Sequence, residues 1–185
     1  MGEIRQPDPV KLLVGMLARR PEWFDAAETL LADAFGPIDL ASGIVPFDFT
    51  DYYAREMGAD LLRKFVTHER LISPEELALV KVKTNALEQW LAIELKPDVP
   101  RPVNLDPGIL DGSKLILATT KDYVHRIYLS RGIYAEITLT YCKGAFEPTP
   151  WTYRDYRSEA YHRFFATARA RYLEQAKAIG PIGPG

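Results

Sequence analysis

At 185 residues, with 47% apolar and 26% charged side chains and a net charge of −2, the chain has an ordinary globular make-up and no broad basic footprint for nucleic acid. The length suits one domain with a core large enough to need no disulfide or metal staple, and the lone Cys142 rules out an intrachain disulfide. No apolar run approaches the ~20 residues of a membrane span, and the polar start lacks the apolar centre of a signal peptide, so a cytoplasmic protein with no membrane partner is expected.

Lys11 to Ala18 is a continuous apolar run, which suits a buried strand. Pro21 opens a helix with Trp23, Phe24, Ala27, Leu30, Leu31 and Ala34 at helical spacing, and Gly36-Pro37 ends it. Ile38 to Val45 reads as a second strand, and Lys64 to Leu71 as a short third. Ser73-Pro74-Glu75-Glu76 carries a capping box, and Leu77, Val80, Leu87, Trp90 and Leu91 set an apolar stripe on the helix behind it. Four prolines between 96 and 108 predict an extended connector.

Lys114 to Thr120 reads as a buried strand, and His125 to Leu129 with Ile133 to Tyr141 as a hairpin turning at Gly132. Ser158 caps a last helix with Tyr161, Phe164, Phe165, Ala168 and Tyr172 on one face. This order predicts an α+β fold with a mainly antiparallel sheet and helices on one face, built on a ferredoxin-like βαββαβ core with an added hairpin. A doubly wound α/β sheet is the alternative. The domain should span 1–178, with 179–185 a disordered tail.

Two stretches share the pattern Pro-aromatic-x-aromatic-x-Asp-Tyr: Pro46 to Tyr52 and Pro150 to Tyr156. With the preceding runs at 11–17 and 114–120, they suggest either an internal duplication, halves 11–57 and 114–160, or chance in an aromatic-rich chain.

Asn104-Leu105-Asp106-Pro107-Gly108, Thr119-Thr120-Lys121-Asp122-Tyr123, His125-Arg126-Ile127-Tyr128-Leu129, Gly132-Ile133-Tyr134-Ala135-Glu136 and Trp151-Thr152-Tyr153 with Asp155-Tyr156 together resemble an uncharacterised bacterial family of unknown function. The resemblance covers roughly residues 9–173; Arg154 stands where that family's pattern has proline. Members are sometimes loosely labelled GTP-binding, and the residues do not support that label. A phosphate-binding loop needs GxxxxGK[ST]; Gly108 to Lys114 reads GILDGSK, one residue short and with Ser113 before the lysine.

The richest cluster of chemistry runs from Lys121 to Glu136. Pairing Leu129 with Ile133 sets Arg126 opposite Glu136 and Tyr128 opposite Tyr134, with His125 on the other face. Lys121 and Arg126 could grip an anion, with Tyr128, Tyr134, Trp151 and Tyr153 as apolar walls. His125 and Glu136 are the candidate acid–base pair. The plain structural reading is a cross-strand ion pair. Asp51 and Asp155 are candidate metal ligands, for Mg²⁺, or simple helix caps; Asp106 before Pro107-Gly108 reads as a turn former. Three function classes therefore stand: binding of a small anionic ligand, a protein-interaction module using the aromatic loops, and a Mg-dependent hydrolase or transferase.

Overall fold

The computed structural model describes residues 2–179, so the tail expected at 179–185 lies outside the described residues from Gly180 on. Nine strands form one sheet: β1 (Val10–Ala18), β2 (Ile38–Ala41), β3 (Val45–Pro46), β4 (Leu62–Ile72), β5 (Val103–Leu110), β6 (Lys114–Thr119), β7 (Ile127–Ser130), β8 (Ile133–Cys142) and β9 (Ala145–Pro148). Four helices accompany them: α1 (Pro21–Phe35), α2 (Ala54–Met57), α3 (Leu77–Glu94) and α4 (Glu159–Ile179). The sheet order is β2-β4-β1-β5-β6-β8-β7, with β3 on β4 and β9 on β8. Every pairing is antiparallel, which sets aside the doubly wound alternative.

β1, α1, β2, β4, α3 and β5 follow one another as βαββαβ, and their strands lie in the order β2-β4-β1-β5. The core on their helical face joins Leu12, Val14, Met16 and Ala18 of β1 to Trp23, Phe24 and Leu31 of α1 and Val80 and Leu91 of α3. That half matches a ferredoxin-like unit. β6 to β9 extend it into a wider sheet.

The expectation of helices on one face holds for α1 and α3 only. α4 packs on the other face, where Tyr161, Phe165, Ala168 and Tyr172 meet Leu13, Phe65, Leu110, Leu115 and Leu139. Strand side chains alternate, and β1, apart from the buried Lys11, is apolar on both faces because each face has its own helical cover. Burying an aromatic of this kind is worth ~2–3 kcal/mol, so α4 is an integral layer.

Local chemistry explains most boundaries. Pro21 sits in the first turn of α1, and Gly36 ends it at φ 95°. Ser73 and Glu76 form the expected capping box, on a short 3₁₀ turn leading into α3. Arg131 and Gly132, at φ 56° and 76°, make the β7–β8 turn, and Lys143 and Gly144, at φ 50° and 89°, make the β8–β9 turn. Both residues of such two-residue turns need positive φ.

Three readings are corrected. The proline-rich connector contains a central strand, β5, paired with β1 from Val103 to Leu110. The strand expected from Ile38 to Val45 is broken into β2 and β3. Asp106 lies within β5, opposite Gly15, rather than in a turn.

Candidate functional site

The sheet is split. β6 joins β5 only through Gly108↔Leu117, Ile109↔Ile116 and Leu110↔Leu115, while β5 continues back to Val103 and β6 forward to Thr119. A Cβ on Gly108 would come within 2.5 Å of the Ile116 carbonyl oxygen and 2.7 Å of Leu117 Cδ2, so glycine lets the strands meet at the apex. On the open edge of β5, α3 takes the place of a strand. Glu88 Oε1 accepts from the Leu105 N–H at 2.7 Å, and Lys81 Nζ donates to the Leu105 carbonyl at 2.8 Å. Residues two apart share a direction, so the Pro107 nitrogen also faces this edge, where it leaves no N–H unpaired.

On the α4 face, but past the residues that α4 covers, the two arms carry polar groups. One arm holds Asn104 and Asp106 of β5 and Arg63 of β4. Arg63 is buried; it lies 2.9 Å from Asp155 Oδ2 and 3.4 Å from Asp106 Oδ2. Its guanidinium also lies 5.1 Å from the Phe47 ring centre. Asn104 Nδ2 donates to Asp106 at 2.7 Å, and Arg101 binds Glu88 at 2.7 Å. Burial raises the Asp155 carboxyl above its usual range, against the pull of Arg63 and with a further push from Asp106.

The other arm holds Glu136 of β8. Tyr128 pairs with Tyr134 as expected, but Ser130 rather than Leu129 faces Ile133, and β7 begins only at Ile127. His125 and Arg126 therefore precede the strand, in a turn closed by Arg126 N–H to the Tyr123 carbonyl. That turn swings His125 onto the Glu136 face, which corrects the strand-alternation reading. His125 Nε2 bonds Glu136 Oε2 at 2.5 Å. Its ring stacks on Trp151, 4.8 Å between centres and 3° from parallel, with Tyr123 edge-on at 5.5 Å. His125 Nδ1 is buried and bonds to nothing among the described residues.

Arg126 is held on three sides. It lies 3.4 Å from Glu136, donates to the Lys121 carbonyl at 3.0 Å, and donates to the Tyr153 hydroxyl at 2.8 Å. Burial drives the Tyr153 hydroxyl pKa far up, and the Glu136 carboxylate adds to it. Lys121 is exposed and reaches the Tyr52 hydroxyl at 2.5 Å, so each aromatic loop touches this cluster, one through Tyr52 and the other through Trp151 and Tyr153.

The structure thus gathers Lys121, His125, Arg126, Glu136, Trp151 and Tyr153 from the sequence-derived set. Tyr128 and Tyr134 pack on each other at 5.3 Å, further along the hairpin. Asp51 and Asp155 are not alike: Asp51 is exposed, whereas Asp155 is buried against Arg63. Among the described residues no group of three His, Cys, Asp or Glu side chains is placed to hold a metal. The near-miss phosphate loop is the β5–β6 hairpin turn. There Asp111 Oδ1 accepts from the Ser113 and Lys114 N–H groups, so a carboxylate fills the place a phosphate would need. Sequence reading missed Arg63, the residue that ties Asp106 to Asp155. The signal was there, since Arg63, Phe65 and Thr67 alternate on one face of an apolar strand.

Two hollows of about 360 and 380 Å³ lie elsewhere, one between β2 and the start of α4, the other beside the end of α4, and both are mostly apolar. Among the described residues no helix is long and apolar enough to cross a membrane. The model of one protein family, Domain of unknown function (DUF4416), matches residues 8–172. No curated protein and no solved structure matches the chain.

Proposed function

The chain belongs to the DUF4416 family, and we propose that it binds a small anionic ligand, a nucleotide or phosphorylated metabolite, at the mouth of the sheet split. The observation that carries this reading is the fixing of Arg126 by Glu136, Tyr153 and the Lys121 carbonyl, beside a histidine clamped between Glu136 and Trp151. A rigid guanidinium loses little entropy on gripping an anion. Lys121, exposed beside Tyr52, adds a second charge, and Tyr123 and Trp151, 58% and 48% exposed, supply a wall for a flat ring.

His125 and Glu136 are the candidate acid–base pair of this reading, joined through Nε2, with Nδ1 buried. This reading requires no metal.

A thermal-shift screen against nucleotides, sugar phosphates and dicarboxylates tests it. At about 100 times the dissociation constant a ligand adds ~2.7 kcal/mol, or about 5–11 °C for a chain of this size. The shift should be lost in Arg126→Ala and weakened in Lys121→Ala. Absence of any shift would favour a protein partner on the exposed rim of Tyr52, Tyr123, Val124, Ile127 and Trp151, which range from 48% to 81% exposed.

A further inference from the structure

α3 is apolar on two sides. Leu77, Val80, Thr84 and Leu91 are buried toward the sheet. The sequence stripe placed Trp90 with them, but Trp90 stands 47% exposed on the outer side with Leu79, Val82 and Ile93 at 41%, 37% and 71%. With exposed Ala86, these five fall in a band about 80° wide, centred about 150° from the buried row, at 3.6 residues per turn. An exposed apolar band rimmed by charged residues marks an interaction surface.

The band reads the same in both directions from Ala86. Val82 and Trp90 lie four residues either side of it, and Leu79 and Ile93 seven. We propose that a second copy of this chain covers it, through an antiparallel two-fold pairing of α3 with α3 that crosses at Ala86. The two-fold axis then sets Val82 against Trp90 of the other copy and Leu79 against Ile93. Small Ala86 side chains meet at the crossing, where helix axes approach to ~8 Å. Lys83 and Glu94 share one flank of the helix. The same rotation brings Lys83 of each copy to about 7.5 Å along the axis from Glu94 of the other, a match of opposite charge. Self-complementarity of this kind is what a two-fold interface needs, and a tryptophan in its interior is a usual energetic anchor. The band is only about 21 Å long, less than a standard interface of ~800 Å² per partner requires, so the association is reversible.

Sedimentation of the full chain across the micromolar range should show the mass rising from 20.9 kDa toward twice that. Trp90→Glu, a change at an exposed position, should keep the wild-type circular dichroism and stay monomeric. In a Cys142→Ser background, Ala86→Cys should oxidise to a covalent dimer and Lys83→Cys should not. A wild-type chain that stays at 20.9 kDa throughout, a Trp90→Glu variant that dimerises as well as wild type, or equal cross-linking at both cysteine positions would overturn the proposal.

Discussion

Replacing Arg63 by methionine keeps the buried stem and removes the charge that Asp155 and Asp106 share. Asp106 retains Asn104 and, at 3.9 Å, Lys81. Asp155 loses the only charged side chain paired with it among the described residues, in a site where its carboxyl is just 7% exposed. Leaving a charge so buried and unpaired costs ~3–5 kcal/mol, so Asp155 will take up a proton instead. Its folded pKa, already raised by burial with Arg63 present, climbs further. A carboxyl raised in the folded state is stabilising below its unfolded pKa, and that contribution is lost as pH rises through the folded value. Above the unfolded pKa of about 3.9, keeping the proton costs up to ~1.4 kcal/mol per pH unit, and the variant bears that cost to a higher pH than wild type does. Urea unfolding of wild type and Arg63→Met at both pH values measures the difference. The deficit should be smaller at pH 5 than at pH 7, and adding Asp155→Asn to the Arg63→Met variant should restore most of it at pH 7. A deficit equal at the two pH values would refute the argument, because loss of packing alone does not titrate.

Gly108→Ala should cost ~1–3 kcal/mol by denaturant unfolding, since the clash is with a backbone oxygen that cannot step aside. Gly144→Ala should destabilise by ~1 kcal/mol through its φ of 89°, with no clash, as open space surrounds it. Burial raises Asp39, but its bonds from Lys11 and Thr67 outweigh this and hold the carboxyl below its usual range. Its contribution is thus present above the unfolded pKa and fades as pH falls through the folded one. Acid titration of stability should show the gap between wild type and Asp39→Asn closing below about pH 4.

Legibility followed from how local each signal was. The β7–β8 hairpin could be read because Gly132 marks the turn and the Tyr128–Tyr134 pair follows from it. Capping at Ser73 is equally local. β5 escaped because four prolines argue against regular structure, and only the open edge, a tertiary fact, makes Pro107 acceptable there. His125 was put on the wrong face because alternation was extended past the point where the strand ends. Trp90 was misassigned because α3 has apolar residues on both sides, and periodicity cannot say which side meets the sheet. The Lys121-to-Glu136 cluster was legible as a set of residues. Its contacts with Trp151, Tyr153 and Tyr52 come from loops far away in sequence, as do the bonds of Arg63 to Asp106 and Asp155.

The open edge of β5 carries a liability. An unpaired strand inside a sheet invites any extended segment to complete it, and here Glu88 and Lys81 occupy the one peptide group, Leu105, that such an invader would engage first. Those two side chains act as a stopper against strand insertion. Their loss would cost more than a pair of exposed hydrogen bonds, because α3 would then hold the buried Leu105 N–H and carbonyl away from any partner.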